Sequence, residues 1–391
     1  MKIYIRDCYD GKTFTFLYKD YMNYDMTLFI PCLNQFITEN KIPFPSSSIS
    51  YEEMKHDFEK LCNLNTNHLI VMMEWKHRCD YEVPLTFLNK GEPLPILIKE
   101  SRAGNICSRY FSFHERLCVA GKSLTDQTTI QTWQDPKRRL SALRFFKLSQ
   151  KSKQNLTPQR FTRMFMNQTC SANSFRPSVA KCLFDCMEPK KVLDFSMGWG
   201  DRLLGALSSK TVELYVGTDP NLANQSIYQK ILQLNNSRER SKDSSRKSVL
   251  LTDLYTLPAE EWHIHKKYPQ VFDLVFTSCP YFNTERYAAG QTHETLQSWY
   301  RYRTMESWLQ GFLFPTLTSC YHALQKNGIL ILNLADCNHL ELCFHMRKFL
   351  EYQLLMEYIG VIGYRMQKRY GIGIRNQSMA YAEPMWVFKK V

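Results

Sequence analysis

Five short apolar segments between residues 191 and 336 alternate with segments that are typical of helices. The apolar segments are KVLDF (191–195), VELYVGTD (212–219), SVLLTD (248–253), FDLVFTS (272–278) and GILILNLAD (328–336). Runs of this length, bounded by turn residues, indicate strands that are buried in a parallel sheet. The predicted helices lie at 202–207, 222–234 and 307–324. This alternation predicts an α/β fold with a doubly wound, mostly parallel sheet, in which ligands bind at the carboxyl ends of the strands.

The flanking residues predict the remaining organisation of the chain. Two late strands, at 356–363 and 385–389, would complete the sheet. Alternating apolar residues between 3 and 18 indicate a hairpin, and a helix is predicted over 51–61. We expect an N-terminal α+β domain (1–135), a basic linker or helix (136–164) and the α/β domain (165–391). For the first domain, target recognition and a dimerisation or scaffold role both remain open.

The charge of the chain favours a polyanionic partner. Lys and Arg number 50 against 37 Asp and Glu, which gives a formal net charge of +13. Nine basic residues and no acidic residue lie between 137 and 163, interleaved with Phe145, Phe146 and Phe161. This stretch is either a solvated helix with a linker or a surface that follows phosphates with aromatic support. We expect nucleic acid as the partner, with contacts from Arg138, Arg139, Lys147, Arg301, Arg303, Lys368 and Arg369.

Targeting signals and metal motifs are not evident in the sequence. No apolar run approaches the about 18–20 residues that span a bilayer, and the N-terminus lacks the apolar core of a signal peptide. The 13 cysteines are scattered without a C-x-x-C pair, which favours reduced thiols over a zinc site. We expect a soluble intracellular protein, in the cytoplasm or nucleus, without a metal, and the sequence leaves the oligomeric state open.

A glycine-containing turn, DFSMGWGDRL (194–203), follows the first strand and opens a helix. Gly198 and Gly200 permit a tight turn that comes close to a ligand. Asp219 ends the next strand, where a carboxylate would accept hydrogen bonds from both hydroxyls of a ribose. Asp253 follows the third strand and would accept from an adenine amino group. The third glycine of a dinucleotide fingerprint is absent, which disfavours a ligand such as NAD.

A second candidate site lies where the buried strand 272–278 ends, at Ser278-Cys279-Pro280-Tyr281. A flat substrate would stack on Tyr281, and Pro280 fixes the turn without an N–H of its own. The Ser278 oxygen and the Cys279 carbonyl would accept the hydrogens of an amino group. Because the lone pair of an exocyclic amine is delocalised, orienting and polarising that amine would supply much of the catalysis.

These two sites, in this order and on these strands, resemble the class I S-adenosylmethionine-dependent methyltransferases, which have a Rossmann-like sheet. More narrowly, with EPMWVFKK (383–390), they resemble the phage and large-virus DNA amino-methyltransferases, whose signature is [D/N/S]-P-P-[Y/F/W]. Cys279 departs from the first Pro of that signature but keeps the backbone carbonyl that the family uses. The resemblance implies S-adenosylmethionine as cofactor, with Asp194, Ser196, Gly198 and Gly200 in its loop, Asp219 at the ribose, Asp253 near the adenine and Phe175, with Arg176, at the methionine end.

The resemblance implies a methyltransferase that acts on an exocyclic amino group of a nucleic-acid base, with Ser278 as the platform's first residue. DNA is favoured over RNA by the resemblance alone. The target would be N4 of cytosine or N6 of adenine, and serine in the first position favours cytosine. Two alternatives remain open: a binding module with this fold that has lost catalysis, and a methyltransferase that acts on a protein glutamine, whose amide is also planar.

Overall fold

The computed structural model describes residues 1–45, 49–76, 87–89, 92–121, 127–169, 174–239, 249–336, 340–365 and 380–391. Its helices are α1 (Lys2–Asp7), α2 (Tyr18–Tyr21), α3 (Met26–Glu39), α4 (Tyr51–Cys62), α5 (Asn105–Leu117), α6 (Thr129–Gln134), α7 (Pro136–Ala142), α8 (Phe145–Lys151), α9 (Pro158–Gln168), α10 (Pro177–Met187), α11 (Asp201–Ser208), α12 (Asn224–Glu239), α13 (Ile264–Lys267), α14 (Ser298–Arg301), α15 (Met305–Trp308), α16 (Phe314–Ala323) and α17 (Leu342–Lys348). Its strands are β1 (Ile70–Met72), β2 (Trp75–Lys76), β3 (Phe87–Asn89), β4 (Glu92–Leu94), β5 (Ile96–Ile98), β6 (Ala120–Gly121), β7 (Lys191–Asp194), β8 (Leu214–Thr218), β9 (Leu251–Tyr255), β10 (Phe272–Ser278), β11 (Glu285–Arg286), β12 (Leu324–Asn333), β13 (Glu357–Arg365) and β14 (Ala380–Lys389). Short 3₁₀ turns lie at Asn67–Leu69, Ala259–Glu261 and Glu294–Leu296, and π-helical turns at Leu309–Leu313 and Phe349–Gln353.

The chain divides into two compact units, and each is built from separate stretches of sequence. Unit 1 comprises 1–50, 113–173 and 285–291, and unit 2 comprises 51–112, 174–284 and 292–391. This division differs from the predicted boundaries. The stretch 51–112 belongs with the α/β sheet because β5 pairs with β13 in parallel, and the predicted basic linker belongs to unit 1.

The main sheet of unit 2 has the predicted doubly wound, mostly parallel architecture. Its strands follow the order β1-β5-β13-β14-β12-β10-β7-β8-β9. From β12 to β9 the strands run parallel, whereas β14 is antiparallel to both β12 and β13. The chain leaves β7 outwards through β8 and β9 and returns to β10 on the other side of β7. Such a reversal opens a crevice at the carboxyl ends of β7 and β10, which is where a ligand binds in sheets of this type.

The strands and helices predicted for unit 2 are confirmed, with shifts at their ends. The fourth predicted strand, 272–278, coincides with β10, and the two late strands are present in longer form as β13 and β14. The helix predicted over 51–61 is α4. The helix predicted over 307–324 is present as three consecutive elements, which are α15, a π-helical turn and α16. The third predicted strand, 248–253, is displaced: β9 ends at Tyr255, so Asp253 lies inside the strand rather than after it.

Unit 1 is mainly helical, and its core is aromatic. Of the hairpin predicted over 3–18, only one antiparallel bridge between Tyr9 and Phe14 is present, because residues 2–7 form α1 and Phe16 makes its bridge with Leu156. Ile5 packs into the aromatic core from the helix, so tertiary packing outweighs the alternating pattern. The phenylalanines of the basic stretch, Phe145, Phe146 and Phe161, are buried in the same core and are therefore no stacking surface for nucleic acid.

Two further properties concern the described residues only. No described helix is both long enough and apolar enough to cross a membrane. The described cysteines are free thiols, and Cys107, Cys182, Cys279, Cys320 and Cys343 among them are buried.

Candidate active site

The loop between β7 and α11 carries the glycines of the first predicted site. Gly198 and Gly200 both have positive φ angles, 57° and 84°, and Gly200 is the N-cap residue of α11. No heavy atom of the described residues lies within 4 Å of the position that a Cβ on Gly198 would occupy. The turn therefore leaves open space at Gly198, where a ligand can approach the backbone closely.

Asp219, directly after β8, lies against this turn. Its Oδ2 accepts from the Gly198 amide over 2.9 Å, and its Oδ1 accepts from the Asn221 amide over 2.9 Å and from Asn224 Nδ2 over 3.2 Å. These bonds occupy three of the roughly four acceptor positions of a carboxylate. Burial raises the pKa of Asp219 to about 6, and the donors only partly oppose this rise. The site thus holds a carboxylate with one acceptor position left for a ligand.

Asp194, the last residue of β7, stabilises the loop through hydrogen bonds to its buried carboxylate. Its buried carboxylate accepts from Arg202 Nε over 2.8 Å and Nη2 over 3.2 Å, from Tyr215 Oη over 2.6 Å and from Thr277 Oγ1 over 2.7 Å. The Ser196 amide also donates to it, over 3.2 Å. The Asp194 side chain is fully buried, so it shapes the loop and joins it to β10 through Thr277.

The hydroxyl group of Ser278, the last residue of β10, is the donor in its hydrogen bond with Asn333. Its Oγ donates to Asn333 Oδ1 over 3.0 Å, and Asn333 Nδ2 donates to the Pro384 carbonyl oxygen over 3.1 Å. A carbonyl oxygen only accepts, so the Asn333 amide must turn its own oxygen towards Ser278. Because the Ser278 proton is directed towards Asn333, the lone pairs of Ser278 Oγ remain available as acceptors.

Tyr281 and Cys279 are the other side chains of the predicted platform, whose stacking and acceptor roles stay predictions. The Tyr281 hydroxyl donates to Glu383 Oε2 on β14 over 3.1 Å. Burial and the nearby Glu383 carboxylate raise the pKa of Tyr281, so the phenol stays protonated and keeps donating. Burial raises the pKa of the Cys279 thiol to about 12, so the thiol is neutral at physiological pH. Cys279 therefore presents no thiolate, and the acceptor role of its backbone carbonyl stays a prediction.

Phe175 lies beside the loop as a largely buried residue. Its ring packs against Phe276 and Tyr364 with centroids 5.5 and 5.1 Å away, and the Arg202 guanidinium lies 5.5 Å from its centroid. The neighbouring Arg176 is paired with Glu100 over 2.8 Å. The contact of Phe175 with the methionine end of a cofactor remains a prediction.

The placement predicted for Asp253 is wrong. Asp253 lies opposite Val216 within the sheet, and its Oδ2 accepts from Lys267 Nζ, Tyr255 Oη and Tyr268 Oη over 2.5–2.8 Å. The sequence misled because β9 continues two residues beyond Asp253. The carboxylate is thus engaged by a lysine and two phenols at mid-strand.

The structure separates the predicted nucleic-acid contacts into distinct groups. Arg139 is buried and bonded to Asn34, Thr38 and the Trp133 carbonyl, because α7 turns this residue inwards. The Arg301 guanidinium is engaged by Glu260 and Glu261, and Arg138 pairs with Asp135 over 3.2 Å. We therefore reassign Arg139 and Arg301 from predicted nucleic-acid contacts to residues that stabilise the fold through intramolecular bonds. Lys147 and Arg303 are exposed, whereas Lys368 and Arg369 lie outside the described residues.

Four residues of the site were missed by sequence reasoning: Asn224, Asn333, Glu383 and Gly217. The first three belong to elements at the carboxyl edge of the sheet, and the available signal was a polar side chain in or beside a predicted apolar segment for Asn333 and Glu383 and at the start of a predicted helix for Asn224. Gly217 allows β8 to touch the loop, because a Cβ there would lie 2.2 Å from Met197 Sδ. Only the strand order brings Asn333 beside Ser278, since 55 residues separate them in the chain.

Comparisons with known proteins give only distant structural similarity. The chain is similar to TrmN from Thermus thermophilus, with a TM-score of 0.36 and 13% identity over 56% of this chain and 50% of that one. It is also similar to M. jannaschii TYW2 in complex with AdoMet (TM-score 0.34, 11% identity, 56% of this chain and 79% of that one). A third is the precorrin-6y C5,15-methyltransferase from Geobacter metallireducens GS-15 (TM-score 0.33, 12% identity, 55% and 88%). Neither a family model nor a curated protein matches the chain.

Proposed function

We propose that this chain is an S-adenosylmethionine-dependent methyltransferase that methylates an exocyclic amino group of a nucleic-acid base. DNA is the first candidate acceptor, with N4 of cytosine or N6 of adenine as the target. The observation that carries the proposal is the turn Ser278–Tyr281, which offers two acceptors and an aromatic ring at the end of β10. The net charge of +13 favours a polyanionic acceptor over a protein glutamine.

The groups around Asp219 fit the ribose of S-adenosylmethionine. A ribose diol has two hydroxyl donors, and Asp219 has one acceptor position left. The Oδ1 atom of Asn224 is buried and has no hydrogen-bond partner among the described residues. The open space at Gly198 lies on the same turn. Two acceptors beside an uncrowded backbone are the complement of a diol.

The residues of the platform would prepare the acceptor amine. S-adenosylmethionine, when bound, supplies an electrophilic methyl group on a sulfonium sulfur. Ser278 Oγ and the Cys279 carbonyl accept the amine hydrogens, which directs the nitrogen lone pair away from the platform. Tyr281 stacks on the base, and this stacking, about 1–3 kcal/mol, partly offsets the few kcal/mol needed to extrude a paired base. Orientation of the amine is thus the main contribution of these side chains.

The test of the proposal is methyl transfer from labelled S-adenosylmethionine to DNA, RNA and protein acceptors, followed by nucleoside analysis. Label in N4-methylcytosine or N6-methyladenine is the expected result. Label in glutamine would support the protein substrate instead. Binding of nucleic acid without any transfer would support the binding module, provided that the protein still binds the cofactor.

Cofactor affinity is expected to fall at acid pH because of Asp219. The pKa of this carboxyl is raised to about 6, and its protonated form loses the acceptor that a ribose hydroxyl needs. Binding should be strongest above this pH and weaken by about tenfold for each pH unit below it. Calorimetry between about pH 5 and 8 would measure this. Asp219→Asn is the matched control and should bind about ten- to hundredfold more weakly with a flat profile; an equally flat wild-type profile would contradict the assignment.

Nucleic-acid binding is expected to depend on the exposed basic residues of unit 1 rather than on the whole basic stretch. Arg144 and Lys147 are exposed on α8 and the turn before it. Changing both to Gln should reduce the salt slope of duplex binding by about 0.9 for each lost phosphate contact. The control is Arg301→Gln, which removes a guanidinium already engaged by carboxylates. Equal slopes for wild type and the double variant would exclude this surface.

A further inference from the structure

The guanidinium of Arg303 lies against two aromatic rings of its own segment. Its guanidinium carbon lies 4.2 Å from the ring centroid of Tyr300 and 5.9 Å from that of Trp299. The Arg303 side chain is exposed, and no carboxylate pairs with it in the part of the chain that the structure describes. We refer to Trp299, Tyr300 and Arg303 as the 299–303 cluster.

Other arginines of unit 2 on aromatic rings differ from Arg303 in one respect. The Arg347 guanidinium lies at the same 4.2 Å from the ring of Tyr358, yet its Nε is paired with Glu351 over 2.8 Å. Arg301 packs on Tyr302 and is engaged by two glutamates. Those guanidinium groups are neutralised within the protein. Arg303 keeps its charge for an external anion, and a guanidinium supported by a ring is suited to phosphate.

A chain of contacts within unit 2 connects this cluster to the platform. Phe282, the residue after Tyr281, packs on Trp308 with ring centroids 6.1 Å apart. The indole N–H of Trp308 donates to Ser298 Oγ over 3.2 Å, and Ser298 directly precedes Trp299 on α14. The residue that follows Tyr281 is therefore connected through Trp308 to the segment that carries the cluster.

In the described part of the chain, buried polar atoms without hydrogen-bond partners lie next in sequence to Phe282 and to Ser298. The Oδ1 atom of Asn283 and the Nε2 atom of Gln297 are buried and have no hydrogen-bond partner among the described residues. Asn283 follows Phe282, and Gln297 precedes Ser298. Buried polar groups without partners cost stability, and a ligand that supplies an acceptor or a donor relieves that cost. An acceptor and a donor together are what the edge of a nucleobase would complement.

We propose that the 299–303 cluster binds the nucleotide next to the target base on an unpaired nucleic-acid strand, an inference that rests on the proposed function of the platform. The ring of Trp299 stacks on the neighbouring base, the ring of Tyr300, at 79° to that of Trp299, contacts the edge of this base, and the Arg303 guanidinium bonds the phosphate between the two nucleotides. A paired neighbour has its faces covered by stacking within the duplex, so the cluster selects a strand that is single or locally opened.

The test is binding of a labelled single-stranded DNA of mixed sequence, compared with its duplex, by wild type and variants. Trp299→Ala should weaken single-strand binding by roughly 5- to 150-fold, the range for losing one stacked base. Tyr300→Ala should weaken it by less, because the Tyr300 ring contacts only the edge of the base. Trp299→Phe keeps a ring and should retain most of the affinity. Arg303→Gln should reduce the salt slope on single strands by about 0.7, while the matched control Arg347→Gln leaves it unchanged. Unaltered circular dichroism and thermal unfolding establish that each variant is folded.

The outcomes separate this inference from the proposed function. Single-strand affinity that is insensitive to all three cluster variants, or equal losses on duplex and single strand, overturns the inference even if the wild type methylates DNA. Losses confined to the single strand support the inference even if no base is methylated, in which case the proposed function fails alone. A wild type that binds no nucleic acid overturns both.

Discussion

Tyr281→Ala is expected to lower single-turnover methyl transfer by about a hundredfold or more, while cofactor affinity stays nearly unchanged. The substitution removes the ring on which the base would stack and leaves Asp219 and the Gly198 turn intact. Bulk affinity for oligonucleotides should change little, because contacts to phosphate dominate it. The measurement is the rate of label transfer with saturating cofactor and acceptor.

Tyr281→Phe is the matched control, since it keeps the ring and removes only the hydroxyl that donates to Glu383 over 3.1 Å. Its rate should fall by about tenfold or less, which is the contribution of one hydrogen bond that holds the ring edge. If Glu383 acts only through this bond, Glu383→Gln combined with Tyr281→Phe should be no slower than Tyr281→Phe alone. A wild-type rate in Tyr281→Ala would refute the platform.

The second large effect is expected on the free energy of unfolding. Asp194→Ala removes the carboxylate that neutralises Arg202, and both side chains are almost completely buried. An unpaired charge in the interior costs about 3–5 kcal/mol, which is a large part of the about 5–15 kcal/mol that stabilises a typical domain. Tyr215 and Thr277 would lose their acceptor as well. We therefore expect a free energy of unfolding in urea that is lower by at least about 3 kcal/mol.

The control for this effect is Glu213→Ala, which breaks an exposed pair with Lys190 whose two side chains are 56% and 55% exposed. That change should alter the free energy of unfolding by no more than about 1 kcal/mol. Similar values for the two variants would show that the Asp194–Arg202 pair does not brace the loop. An Asp194→Ala protein of wild-type stability that binds cofactor weakly would instead assign the carboxylate a direct ligand role.

The α/β sheet and both loops of the site could be predicted from the sequence because their signals are local. Apolar runs such as 272–278 need burial on both faces, and glycines such as Gly198 mark a tight turn whatever surrounds them. Asp219 was placed correctly because it directly follows a strand with a clear end. Asp253 was misplaced because β9 has polar and aromatic residues beyond its apolar run, which hide where the strand ends.

The remaining features depend on contacts that are distant in sequence. Arg139 has the same local surroundings as its exposed neighbours, and only the packing of α7 against α3 buries it. Asn333 and Glu383 became part of the site through the pairing of β12 with β10 and β14, which no local pattern encodes. The division of residues 1–173 between the two units also depends on contacts that are distant in sequence.

The pairing of β5 with β13 has a consequence for how the protein is made. Leu97 on β5 lies opposite Gly363 on β13, so 266 residues are synthesised after Leu97 by the time its partner Gly363 exists. At the about 5–20 residues that a ribosome adds per second, this interval lasts roughly 13–53 seconds. Among the described strands, β5 has only β1 as a native neighbour during that time, so transient contacts or chaperones have to shelter the edge that later pairs with β13. The sheet can therefore reach its complete form only after β14 has been synthesised, and the nascent chain is most prone to aggregate in that interval.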